Sequence, residues 1–191
     1  MENTKTTGAL LSSCALGFGL AASSVLANDD DHHRVRASLS GYNEVHFSAG
    51  PPATLRGAVS TKARGTFRAT IEKDEIHYRL TYQGLEGTVT QAHIHFGQQH
   101  TVGGIVVWLC QTAGTPAPAA VAALTPFCPA EGTVTGTIKA DQVLEATGQG
   151  IAPKEFGELV RAIRAGTTYA NVHSTLFPPG EIRGQIDRRD D

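Results

Sequence analysis

Residues 75–82 alternate strictly. Ile76, Tyr78, Leu80 and Tyr82 fall on one side, and His77, Arg79 and Thr81 fall on the other. A two-residue repeat is the period of a β-strand with one face in a core, and it does not fit the 3.6-residue repeat of a helix. Residues 65–71 carry the same pattern, with Phe67, Ala69 and Ile71 against Thr66, Arg68 and Thr70. Asp74 stands between the two runs, where a hairpin turn is expected. Residues 35–39, 88–96, 105–110, 132–138, 167–173 and 181–186 read as further strands. Gly84, Gly87, Gly103-Gly104 and Pro178-Pro179-Gly180 punctuate them. One stretch differs: residues 153–165 place Phe156, Leu159, Val160 and Ile163 at helical spacing. Pro153 lies near its start, and Gly166 follows as a left-handed cap. A short helical turn is expected at 141–145. Many short strands with one amphipathic helix predict an all-β antiparallel sandwich or barrel in a single domain, residues 35–187.

The termini read differently. Residues 9–26 are apolar or small and uncharged, follow Lys5, and end in Val25-Leu26-Ala27. This is the layout of a secretory signal, residues 1–27. Its serines and glycines dilute it below what a membrane anchor needs. Leu11-Ser12-Ser13-Cys14 resembles a lipidation site at Cys14, but too few apolar residues precede it for that reading to lead. An acidic, histidine-bearing tail (28–34) follows the signal, and a charged tail (188–191) ends the chain. The expectation is an exported protein, periplasmic or secreted, with no membrane span after the signal. A net charge of -2 gives no electrostatic reason to expect nucleic acid as a partner. Once the signal is removed, Cys110 and Cys128 are left. In an oxidising compartment two such cysteines pair, closing the Ala/Pro-rich loop 112–126. Thiolate metal binding is the alternative, although no C-x-x-C spacing supports it.

Three histidines carry the chemical signal. In Gln91-Ala92-His93-Ile94-His95-Phe96 the apolar residues take the core side, so His93 and His95 project from the opposite face. Two imidazoles so placed can reach one metal ion. Ala170 and Val172 likewise turn His173 outward, and Ile182 and Ile186 do the same for Glu181 and Arg183. If these strands are neighbours, His93, His95 and His173 form one candidate metal site. Glu181 would be a fourth ligand or a carboxylate orienting an imidazole, with Asn171 and Arg183 in support. The competing reading has the same histidines bonded to Glu181, Asn171 or backbone as structural groups. Imidazole donors suit copper first and zinc second. No catalytic residues are expected: the serines lack a G-x-S-x-G setting, and no phosphate loop or carboxylate pair appears.

Several segments resemble the CHRD family, the domain repeated in chordin and found alone in many exported bacterial proteins. They are Leu39-Ser40-Gly41-Tyr42-Asn43-Glu44-Val45, Leu80-Thr81-Tyr82-Gln83-Gly84-Leu85, Ala92-His93-Ile94-His95 and Gly104-Ile105-Val106-Val107. Tyr169-Ala170-Asn171-Val172-His173-Ser174 joins with Pro179-Gly180-Glu181-Ile182-Arg183-Gly184-Gln185 as the longest of them. The resemblance implies an immunoglobulin-like or superoxide-dismutase-like β-sandwich and no established activity. His46-Phe47 and Phe96-Gly97-Gln98-Gln99-His100 depart from the commonest pattern. His93-Ile94-His95-Phe96-Gly97 is also similar to the His-x-His strand of copper–zinc superoxide dismutases, without their further ligand set. The function expected is a non-catalytic binding or structural module for an extracytoplasmic protein or small ligand. The alternative is a copper or zinc protein with a redox-related role.

Overall fold

The structure, a computed structural model, describes residues 1–2, 34–47 and 55–188, except the side chains of residues 47, 55 and 56. The expected signal beyond its first two residues, the tail through residue 33, and the last three residues lie outside the described residues.

The described residues form eleven strands and two α-helices: β1 (Arg34–Ser40), β2 (Val45–Phe47), β3 (Leu55–Gly57), β4 (Arg64–Ile71), β5 (Ile76–Gln83), β6 (Val89–Phe96), β7 (Gly104–Cys110), α1 (Ala119–Ala122), β8 (Gly132–Ile138), α2 (Phe156–Arg164), β9 (Thr168–Ser174), β10 (Ile182–Gln185) and β11 (Asp187–Arg188). Every strand read from alternation is present. The ribbon β2–β3 and the short β11 were not anticipated, because three residues or fewer carry no period.

The main sheet runs β7-β6-β9-β10-β1-β4-β5-β8, with β11 added on β1. All its ladders are antiparallel. The hairpin placed at Asp74 pairs Ile71 with Ile76 and closes with the Glu72 N–H donating to the Glu75 carbonyl at 2.8 Å. The sheet curls until its ends meet. The Tyr78 hydroxyl on β5 donates to the Leu109 carbonyl on β7 at 2.6 Å, joining strands from opposite ends. One apolar core fills the interior, with Phe67, Ile76, Leu80, Ile94, Leu109 and Ile182 fully buried. The expected all-β antiparallel architecture is therefore present, as one nearly closed sheet wrapped into a sandwich-like body. No helix among the described residues is long and apolar enough to cross a membrane.

The helix is shorter than its pattern suggests. It begins at Phe156 rather than Pro153, because Lys154 adopts a left-handed φ of 69° that a helix cannot contain. Its end follows the expected cap. Gly166 sits at φ 66°, its N–H bonds the Ile163 carbonyl at 3.0 Å, and the Thr167 N–H bonds the Ala162 carbonyl at 3.1 Å. This is the Schellman arrangement, which satisfies carbonyls the helix leaves bare. The turn expected at 141–145 lies slightly earlier, at Ala140–Gln142.

Cys110 and Cys128 form a disulfide with an S–S distance of 2.04 Å. Both sulfurs are used, so the thiolate-ligand alternative does not apply to this state. The bridged loop carries α1 and, with Trp108 on β7, builds a small second apolar cluster from Ala117 and Val121, separate from the main core.

Candidate functional site

Strands β6 and β9 are neighbours, with His93 opposite Asn171 and Gln91 opposite His173. Register therefore sets His93 and His173 diagonally on one face. On the other side, the β6–β7 pairing is irregular between Ala92 and His93 and between Ile94 and His95, where Leu109 and Val106 are the extra residues on β7 and Trp108 is set opposite His93. The result is a cluster in which ligand atoms of His93, His95 and His173 all lie within 4.8 Å of one another.

The face they share is turned away from the main core but is not open to water. His93 is 0% exposed, His173 5% and His95 8%. Aromatic rings and loops cover them. Trp108 meets His93 edge-on, with centroids 4.3 Å apart, and Tyr169 lies flat on His95 at 4.7 Å. Burial holds all three imidazoles neutral. It pushes His93 well below its ordinary value, and it lowers His95 and His173 to about 4.

Hydrogen bonding then fixes the protons. A carbonyl only accepts, so His173 donates from Nδ1 to the Pro178 carbonyl at 2.8 Å. His95 donates from Nδ1 to the Gly103 carbonyl at 2.9 Å. His173 Nε2 is thus a bare lone pair, and it accepts from His93 Nδ1 at 3.1 Å. The Nε2 atoms of His93 and His95 are likewise lone pairs, buried and without a hydrogen-bond partner among the described residues. Backbone carbonyls that set imidazole tautomers are a usual accompaniment of metal-ligating histidines.

Glu181 does not join this group. Its Oε1 accepts from the Thr61 hydroxyl at 2.9 Å and from the Glu86 N–H at 2.7 Å, so it ties two loops together instead. Nor does Arg183 pair with Glu181. Its guanidinium lies 3.7 Å from the centre of the Tyr169 ring, and it donates to the Thr101 carbonyl at 2.9 Å. Asn171 donates to Glu44 and, at 3.2 Å, to the Ile182 carbonyl. The buried Glu44 carboxyl is pushed up to about 8 by burial, against the opposing pull of Arg183. Gly180 stands over this pair at φ 138°, where a Cβ would come within 2.6 Å of the Asn171 amide. The metal candidates are therefore three imidazoles, flanked by a separate Arg183–Tyr169–Glu44–Asn171 layer.

Sequence reasoning gave no site role to Glu44 or Tyr169. His46 sits on β2, its Nε2 bonded to the Gly180 carbonyl at 2.6 Å beside the strand that follows His173. His100 is exposed on the loop before β7. A second group, Glu72, Glu75 and His77, gathers at the β4–β5 hairpin. Glu72 and His77 are exposed and Glu75 is half-buried, and the Glu75 carboxylate also pairs with Lys139 at 3.0 Å.

An antiparallel sandwich with a disulfide-bridged loop and a buried histidine layer outside its core defines the class of molecule. The chain belongs to the CHRD domain family, whose model matches residues 35–186. No curated protein and no solved structure matches it.

Proposed function

We propose that this chain is an exported, non-catalytic CHRD binding module that holds one metal ion, copper ahead of zinc, on His93, His95 and His173. The observation that carries the reading is the pair of buried, unpartnered Nε2 lone pairs on His93 and His95. Leaving buried polar atoms unpaired costs about 1–3 kcal/mol each, a cost that an ion would remove. A third imidazole, His173, lies within reach, and its Nε2 would exchange the His93 N–H for the ion. Nitrogen donors bind Cu(II) above Zn(II) in the divalent series, and imidazole suits both. The set carries no negative charge, and burial, with smaller contributions from His173 and Arg183, lowers the proton affinity of His95, which leaves it a neutral donor. The ion would supply ligand binding or electron transfer, while the chain supplies tautomers, burial and the aromatic walls. Export is supported by the signal layout of residues 1–27 and by the disulfide.

The test is a titration of untagged mature protein with Cu(II), Cu(I) and Zn(II) against chelators of graded affinity. One ion per chain is expected, lost in the His93→Ala and His95→Ala variants whose circular dichroism stays native. No uptake by folded wild-type protein would overturn the proposal, and so would uptake unchanged in both variants.

A further inference from the structure

We infer that the outer face of β1, β4 and β5 is a trough for an acidic polysaccharide. Register carries the argument. Arg36 pairs with Arg68, and Arg68 pairs with Arg79, so three guanidinium groups stand in one row across three strands. Directly paired residues share a face, and strand spacing puts the row over about 10 Å. Arg34 lies two residues from Arg36 on the same face and pairs with Thr70, which pairs with His77.

All four arginines are exposed, and among the described residues none of them makes an ion pair. Like charges directly opposite one another weaken a sheet. The row therefore works against stability, and a binding role explains it better than solvation does. Acidic residues do border the face: Asp187 pairs with Arg36 at one edge, and Glu72 and Glu75 cluster with His77 at one end. They leave the central row unneutralised.

The shape and the chemistry select the partner. Arg34, Arg36, Arg68, Arg79, His77 and Thr135 line an open depression of about 480 Å³. A trough receives a chain better than it receives a flat membrane. None of the exposed large apolar residues, such as Tyr42, Val102 or Phe127, lies on these strands, so the face offers nothing to insert into lipid or to stack on bases. What it does offer is guanidinium forks for carboxylate or sulfate, beside threonine hydroxyls that can bond sugar hydroxyls.

The experiment measures binding of the mature protein to alginate (carboxylate) and to dextran sulfate (sulfate), with anionic phosphatidylglycerol vesicles and duplex DNA as further arms. Binding to one or both polysaccharides is expected, weakening as sodium chloride rises. The triple variant Arg36→Ser/Arg68→Ser/Arg79→Ser should lose about tenfold or more in affinity while its thermal midpoint stays level or rises. Arg161→Ser on α2, whose side chain pairs with Glu158 away from the trough, should bind normally. Absence of polysaccharide binding at low salt, an unaffected triple variant, or tighter binding to vesicles or DNA would overturn the inference. So would a triple variant that loses binding only because its thermal midpoint collapses.

Discussion

His93 Nδ1 lies 3.1 Å from His173 Nε2. With His173 Nδ1 committed to the Pro178 carbonyl, this contact makes His93 the donor and leaves its Nε2 bare. The cluster is a set of neutral imidazoles in which the His173 lone pair accepts from His93, while the Nε2 lone pairs of His93 and His95 meet no partner among the described residues. Its behaviour toward protons and toward metal follows from that.

Acid should unfold the metal-free protein early. His95 and His173 are lowered to about 4 in the folded state, against 6.5 unfolded. Above pH 6.5 both states are neutral and these groups add no pH dependence. Between 6.5 and 4 the unfolded chain binds protons that the folded chain refuses, so stability falls as pH falls. Each group accounts for a loss on the order of 3 kcal/mol across that window. Urea midpoints measured from pH 8 to pH 4 should drop steeply below 6.5, and bound copper should move the drop to lower pH. A flat profile would mean the imidazoles are not held neutral.

Glu44 should act with the opposite sign. Its folded value, raised by burial to about 8, lies above the 4.5 of the unfolded chain. The folded state holds the extra proton, so this contribution is full below 4.5 and is lost as pH rises through 8. Glu44→Gln keeps the shape without the titration. Relative to wild type, the variant should gain about 3–5 kcal/mol between pH 4 and pH 9. Denaturation curves of both proteins at the two pH values would show it. An equal difference at both ends would mean that folding does not raise the Glu44 carboxyl.

The sequence made the site partly legible because the strands are regular. Alternation around Ile94 and Val172 was enough to turn His93, His95 and His173 to one side, and the β6–β9 register brings them together. It could not show that this side is buried. The cover comes from Trp108, Tyr169 and the carbonyls of Gly103 and Pro178, and loop carbonyls have no periodic signature. Glu181 was read as facing the histidines because it was counted as part of its strand. It precedes β10, and its partners Thr61 and Glu86 come from distant loops that no local pattern announces. The arginine row was visible one strand at a time, as Arg36, Arg68 and Arg79. Only the register aligned them.

The disulfide should stabilise both the fold and the site wall. Cys110→Ala/Cys128→Ala opens a link of sequence separation 18 that anchors the loop behind Trp108. A loss of about 3 kcal/mol is expected from loop-closure entropy. Because Trp108 packs on His93, its fluorescence should shift toward that of an exposed indole, and copper affinity should fall. Guanidinium titration and Trp emission would read both. Full stability with unchanged emission would mean the bridge holds neither.

The most direct measurement is a crystal structure of the copper-soaked protein with anomalous data collected at the copper edge. One strong peak is expected among His93, His95 and His173, about 2 Å from one nitrogen of each, the usual metal–imidazole distance. A peak only at Glu72, Glu75 and His77, or none beside the three buried imidazoles, would contradict the account.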